Sequence, residues 1–163
     1  MILPDVNILV YAYRGDAVDH LLYKQWLEGI IRSGQPYGVN DHVLSGFLRI
    51  ATHPRIFPTP SPILSVLEFV RDLREQPNCR TIAPGSRHWQ IFTDLCKSQS
   101  ATGNLIPDIW FAALAIESGC EWITTDGDYE KIPGEGFNRP WPPIIKMDEA
   151  VKAKVEKLLG IGH

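Results

Sequence analysis

Four short strand-like runs, at residues 1–6, 37–40, 80–83 and 120–124, alternate with longer segments in which apolar residues recur at helical spacing. Strands that alternate with helices pair in parallel, with the helices crossing back over both faces of the sheet. The expected fold is therefore α/β: three layers, α/β/α, around a central, mostly parallel sheet. Open sheets of this kind bind ligands outside the carboxyl ends of their strands. The residues just after each strand are therefore the first candidates for a site.

The first run ends at Pro4-Asp5, with the imino acid at the strand end, where its missing N–H costs no ladder bond. The last passes into Thr125-Asp126-Gly127-Asp128, a turn rich in acid. Between them, a helix from Asp19 to Ile31 has Asp19 as its N-cap, and a second runs through Val43, Leu44, Phe47, Leu48 and Ile50 to stop at His53-Pro54. Asp41 falls at the start of that second helix. Four prolines between Pro54 and Pro62 predict a stiff loop. A helix from Pro62 to Gln76 comes next with Ser61 as cap, and Ser86 caps another that carries Trp89, Ile91, Phe92, Leu95 and Cys96. After a polar loop at 100–104, Pro107 and Asp108 open a strongly apolar helix, Ile109 to Ser118, closed by Gly119. Residues 134–143 read as a Gly- and Pro-rich surface crossing. Asp148 then caps a short amphipathic helix bearing Val151, Val155, Leu158 and Leu159. Residues 1–145 thus form one domain, and 146–163 a C-terminal helix packed on it or on a partner.

A chain of 163 residues and 18.4 kDa buries one core. The N-terminus has no basic flank and meets an acid at once, unlike a secretory signal, and no segment is long or apolar enough to span a bilayer. Cys79, Cys96 and Cys120 are odd in number and widely spaced, which fits core thiols in a reducing cytoplasm better than disulfides or a zinc site. The formal net charge of −3 differs from that of an ordinary nucleic-acid-binding module. It weighs less if the acids gather around a cation, which reverses the local field.

Asp5 and Asp126, from two strand ends, can converge with Asp108 at a helix start, and Asp41 can join them. Such carboxylates suit Mg²⁺ or Mn²⁺, which prefer oxygen ligands and retain several waters. The chemistry such a site supports is phosphodiester hydrolysis by a metal-activated water, with no protein nucleophile. Any single aspartate in these positions is more often a cap or turn residue. The joint pattern carries the argument: D-x-N after the first strand, P-D opening an apolar helix, and T-T-D-G-D after the last strand.

Those motifs resemble the PIN domain family, and within it the VapC-type toxin ribonucleases of type II toxin–antitoxin systems. The run MILPDVNILVYA at 1–12 is similar to the family's opening, NLIPDIWFAALA at 104–115 to its third acidic motif, and TTDGDY at 124–129 to its last. The resemblance covers about residues 1–145. It implies a Mg²⁺- or Mn²⁺-dependent endoribonuclease with Asp5 and Asp108 as the main metal ligands, Asp126 completing the cluster and Asp128 nearby. Asn7 and Thr125 would orient those ligands. It also implies an RNA substrate, a cognate antitoxin protein, a homodimer and a cytoplasmic, non-membrane location. Many family members carry a glutamate where this chain has Gly46, and Asp41 is the candidate substitute.

The segment FLRIATHPRIF at 47–57 resembles one branch of these toxins; Arg49, His53 and Arg55 there read as a helix-end polar network ahead of an RNA contact. Val66, Leu67 and Val70 suit an antitoxin contact or the core equally. His20, His42 and His88 lack ligand spacing. Trp26, Trp89, Trp110, Trp122 and Trp141 read as core or interface residues ahead of base-stacking platforms.

Three rival readings share parts of the pattern. A phosphatase of the haloacid dehalogenase type also opens on a strand-end aspartate, but Asn7 stands where its second aspartate would act as general acid, and an amide cannot exchange a proton in that role. A phospho-receiver domain would need an activating lysine, for which only Lys131 stands near the acidic turn. A PIN-like scaffold that binds RNA or protein without cutting is kept alive by Gly46.

Overall fold

The computed structural model describes residues 1–17 and 19–126, together with the backbone of 137–138. The strands are β1 (Ile2–Pro4), β2 (Tyr37–Val39), β3 (Cys79–Thr81), β4 (Glu121–Ile123) and β5 (Phe137–Asn138). They form one sheet in the order β3-β2-β1-β4-β5, and each neighbouring pair is parallel. The helices are α1 (Val6–Tyr13), α2 (His20–Arg32), α3 (Asp41–Ala51), α4 (Ile63–Arg74), α5 (His88–Ser98) and α6 (Leu105–Ser118). This is the expected three-layer α/β/α arrangement.

The topology has one reversal that matters. From β1 the chain builds outward through β2 and β3, then returns to the other side of β1 to lay down β4. The switch point therefore lies between β1 and β4, where ligands bind in open parallel sheets. The two strands pair from Ile2 opposite Glu121 to Pro4 opposite Ile123, and the Asp5 N–H extends the ladder to the Ile123 carbonyl at 2.8 Å.

One helix has no counterpart in the sequence pattern. Directly after β1 the chain turns into α1, in which every residue from Val6 to Ala12 is buried. A helix covered on all sides shows no apolar stripe, and its β-branched and aromatic residues imitate a strand continuing from β1. It packs against α2 and α3 and contributes Ile8, Leu9 and Val10 to the core, all fully buried beside Leu3, Phe47, Ile109 and Trp122.

Several helix starts also differ from expectation because distant groups decide them. Ser61 does not cap α4, whose N-cap is Pro62; the Ser61 hydroxyl instead accepts from Arg14 Nη1 at 2.8 Å. Arg14 is buried, also pairs with Asp16 and lies 4.0 Å over the Phe57 ring, so it ties the proline-rich loop to the end of α1. Near the start of α5, the Glu117 carboxylate of α6 accepts from the Gly85 and Arg87 N–H groups, at 2.7 and 2.8 Å, and Ser86 makes no cap. Helix α6 begins at Leu105, earlier than Ile109, and ends on Gly119 in the left-handed conformation at φ 63°. Within 134–143, Phe137–Asn138 pair with β4. The expected C-terminal helix at 146–163 lies outside the described residues.

Candidate active site at the carboxyl edge

Asp5 comes directly after β1 and is the N-cap of α1 in one step, so the strand fixes its place and the helix start fixes its orientation. Its Oδ1 accepts from the Val6 N–H at 2.6 Å, and its Oδ2 accepts from the Thr124 hydroxyl at 2.6 Å. The same Thr124 oxygen accepts from the Asp126 N–H at 3.0 Å. One hydroxyl thus joins the acid after β1 to the acid after β4, across the switch point. Burial pushes the Asp5 carboxyl up to about 6, against the downward pull of the hydrogen bonds from Thr124 and Val6; the Asp126 charge adds to the rise.

Asp108 reaches this edge by another route. Helix α6 returns the chain to the start of β4, so it runs antiparallel to the strands and its N-terminal turn lies at their carboxyl ends. Asp108 sits in that turn and is 3% exposed. Asn7, also buried, has a side-chain carbonyl oxygen that meets no hydrogen-bond donor among the described residues. Asp128 lies outside the described residues.

Thr124 is the residue that sequence reasoning missed, since it assigned an orienting role to Thr125. Two adjacent threonines look alike in a sequence. Either hydroxyl could accept the N–H two residues on, as Thr124 does from Asp126, so no local signal separates them. Asp41 is placed elsewhere: it opens α3, its side chain is 72% exposed, and it pairs with Arg74 at 2.5 Å. Gly46 faces the site's support. A Cβ built there would lie 2.9 Å from Val6 Cγ2, so Val6 fills the space a side chain at 46 would need.

Among the described residues, no three His, Cys, Asp or Glu side chains lie close enough to cage a metal unaided. That is compatible with Mg²⁺ or Mn²⁺, which are commonly held by one or two carboxylates with waters and substrate phosphate as the remaining ligands. Asp5, Asp108 and Asp126 through their carboxylates and Asn7 through its unmatched carbonyl offer oxygen donors, the ligand type such an ion prefers.

A parallel sheet with acids on both sides of its switch point defines the class, and comparison supplies the family. The PIN domain family model matches residues 2–135, and the chain belongs to that family. It is 35% identical over 140 residues to Ribonuclease VapC25 of Mycobacterium tuberculosis, covering 86% of this chain and 99% of that protein. It is 36% identical over 132 residues to VapC ribonuclease Mb2897 of Mycobacterium bovis, covering 81% and 90%. Its fold is similar to that in a crystal structure of VapBC2 from Rickettsia felis bound to a DNA fragment from their promoter. There the TM-score is 0.59 at 15% identity, over 86% of this chain and 99% of that one.

Proposed function

We propose that this protein is an endoribonuclease, the toxin of a VapBC-like toxin–antitoxin pair, that hydrolyses RNA phosphodiester bonds with Mg²⁺ or Mn²⁺. The observation that carries the reading is the Asp5–Thr124–Asp126 link across the switch point. The names of the mycobacterial relatives, each a ribonuclease, give the reaction class. In this reading one or two of Asp5, Asp108 and Asp126 ligate the metal directly, and waters and substrate phosphate complete its shell. When bound, the ion supplies Lewis-acid activation of water and charge neutralisation at the phosphate.

The chain's own residues prepare that chemistry. Thr124 holds one oxygen of Asp5 and the backbone of Asp126 in a fixed relation, so the acids do not reorganise when substrate arrives. The N-terminal turn of α6 adds its partial positive charge beside Asp108, which favours a phosphate. Leu3 and Ile123, in the two strands that lead to Asp5 and Asp126, are buried in the core.

A protein partner fits a different surface. Val66 and Val70 of α4 are core residues, whereas Ile63, Leu64 and Leu67 on the same helix are 51%, 78% and 44% exposed. We assign this aliphatic face to a protein contact, with the antitoxin or with a second copy in a homodimer. No helix among the described residues is long and apolar enough to cross a membrane.

The test is cleavage of total cellular RNA by the purified, antitoxin-free protein in Mg²⁺ or Mn²⁺, with an EDTA control and Asp5→Asn and Asp108→Asn variants. Discrete metal-dependent cuts, mapped by sequencing and reduced roughly a hundred-fold or more in either variant, are expected. Intact RNA across metals and substrates, or equal cutting by the variants, sinks the reading.

A further inference from the structure

At the starts of α3 and α6 lies a cleft of about 260 Å³, lined by His42 of α3, Phe92 of α5, and Ile106, Pro107, Trp110 and Phe111 of α6. Its position is set by the fold. His42 is the second residue of a helix that starts where β2 ends, and Pro107 immediately precedes Asp108, so the cleft and the acid share the first turn of α6.

Its rings are held in place. Phe111 lies against buried Trp122 at 5.0 Å with the planes 17° apart. Trp110 meets Phe111 edge-on at 5.1 Å and His88 at 4.8 Å, while the His88 Nε2 is 3.0 Å from the Trp110 carbonyl oxygen. His42 stands edge-on to Trp110 at 5.4 Å and brings the cleft a hydrogen-bonding group. At the rim, Trp89 is 69% exposed and packs on Phe92 at 5.4 Å. Trp110 packs against the core, as its sequence context suggested, whereas core packing does not account for the exposed Trp89.

We propose that this cleft receives an unpaired nucleobase of the RNA strand whose phosphate lies at the carboxylates, with Trp110 and Phe92 as stacking surfaces. His42 hydrogen-bonds the base edge, and Trp89 offers a platform to the next base outward. The proposal rests on the nuclease reading above.

Three features favour a base over an apolar side chain from a protein. The walls are mostly flat rings, which stack bases irrespective of sequence. An imidazole at the opening has a use against a base edge and none against a leucine. A chain of net charge −3 has no overall positive charge to draw in RNA, and stacking supplies a source of affinity that does not depend on one.

The experiment measures binding without cutting. The Asp5→Asn chain, in Mg²⁺, is titrated against a fluorescent RNA of about 12 nucleotides, roughly one site in length, and against the same backbone with its central bases removed. Bases are expected to tighten binding roughly ten-fold, the scale of one stacked base. Adding Trp110→Leu or Phe92→Leu is expected to abolish that preference while leaving the abasic strand's affinity unchanged. His42→Ala, at an exposed position where folding is not at stake, is expected to reduce the preference by a few-fold. A preference that persists in all three variants overturns the assignment. A preference lost in the variants, in a protein whose parent never cuts RNA, upholds the cleft and sinks the nuclease reading. Cutting by the parent with no contribution from bases does the reverse.

Discussion

Asp5 and Asp41 occupy what looks like the same place twice: each comes after a short parallel strand and stands at the start of the next helix. Their fates differ because of one residue of register. Asp5 is an N-cap, with its side chain turned into the switch point and buried at 7% exposure. The equivalent cap after β2 is Asn40, also buried, whose amide accepts from the His42 and Val43 N–H groups and donates to the Ile82 carbonyl. Asp41 comes one residue later, and the helix carries it out to solvent and to Arg74. At the central junction the fold keeps a charge that is costly to bury; at the lateral one it uses a neutral amide whose hydrogen-bonding groups are matched. A buried charge retained where an amide would serve the backbone marks the functional junction.

That contrast is sharpest in the stability of the metal-free protein. Asp5 holds its proton more tightly when folded, with its carboxyl raised from the ordinary 3.8 to about 6. The stability it contributes is therefore fully present below 3.8 and is lost as pH rises through 6. Above that pH the buried carboxylate costs on the order of 3 kcal/mol, from the roughly 1.4 kcal/mol that accompanies each pKa unit. In EDTA at about pH 7.5, Asp5→Asn is expected to raise stability by about that amount in urea unfolding, with the gain vanishing near about pH 4. A variant no more stable than the parent in the alkaline arm would show that Asp5 is not held at a cost, and the contrast with Asn40 would lose its basis.

A smaller effect is expected where the two junctions meet. Val6, next to Asp5, occupies the space above Gly46 of α3. Placing a glutamate there with Gly46→Glu overpacks this contact at a cost of about 1–3 kcal/mol, offset by about 1 kcal/mol from replacing glycine within a helix. In a Val6→Ala background the cost of Gly46→Glu is expected to shrink by at least about 1 kcal/mol, a coupling that a double-mutant cycle reads directly. Additive effects would mean that position 46 does not depend on Val6.

The sequence carried the parallel sheet well, because four strand-like runs and their helices each had local signals. It carried Asp5, Asp108 and Asp126 as candidates through their motifs, before any geometry. Other features depend on contacts that no local window contains. Helix α1 is buried on every side and so has no periodicity to read. Ser61 and Ser86 have good capping chemistry, but Arg14 claims the first, and Glu117, some thirty residues away, takes the N–H groups on either side of the second. Thr124 and Thr125 are chemically identical neighbours, and only the path of the chain after β4 decides which one reaches Asp5.

The smallest predicted effect completes the comparison from its other side. If register alone separates the two acids, Asp41→Asn removes an exposed ion pair with Arg74 and little else. Such pairs contribute between zero and about 1 kcal/mol, and part of that is screened by salt. Helix α3 keeps its Asn40 cap, so its start is not disturbed. Urea unfolding of Asp41→Asn is expected to shift by less than about 1 kcal/mol, with the shift shrinking at high salt, and metal-dependent cutting of RNA should stay within about two-fold of the parent. Metal affinity, read by the Mg²⁺-induced rise in melting temperature, should not change. A ten-fold loss of cutting accompanied by weaker metal binding would mean that Asp41 leaves Arg74 and swings to the carboxyl edge when the ion is present. In that case it supplies the fourth carboxylate that Gly46 does not, and the two junctions serve one site.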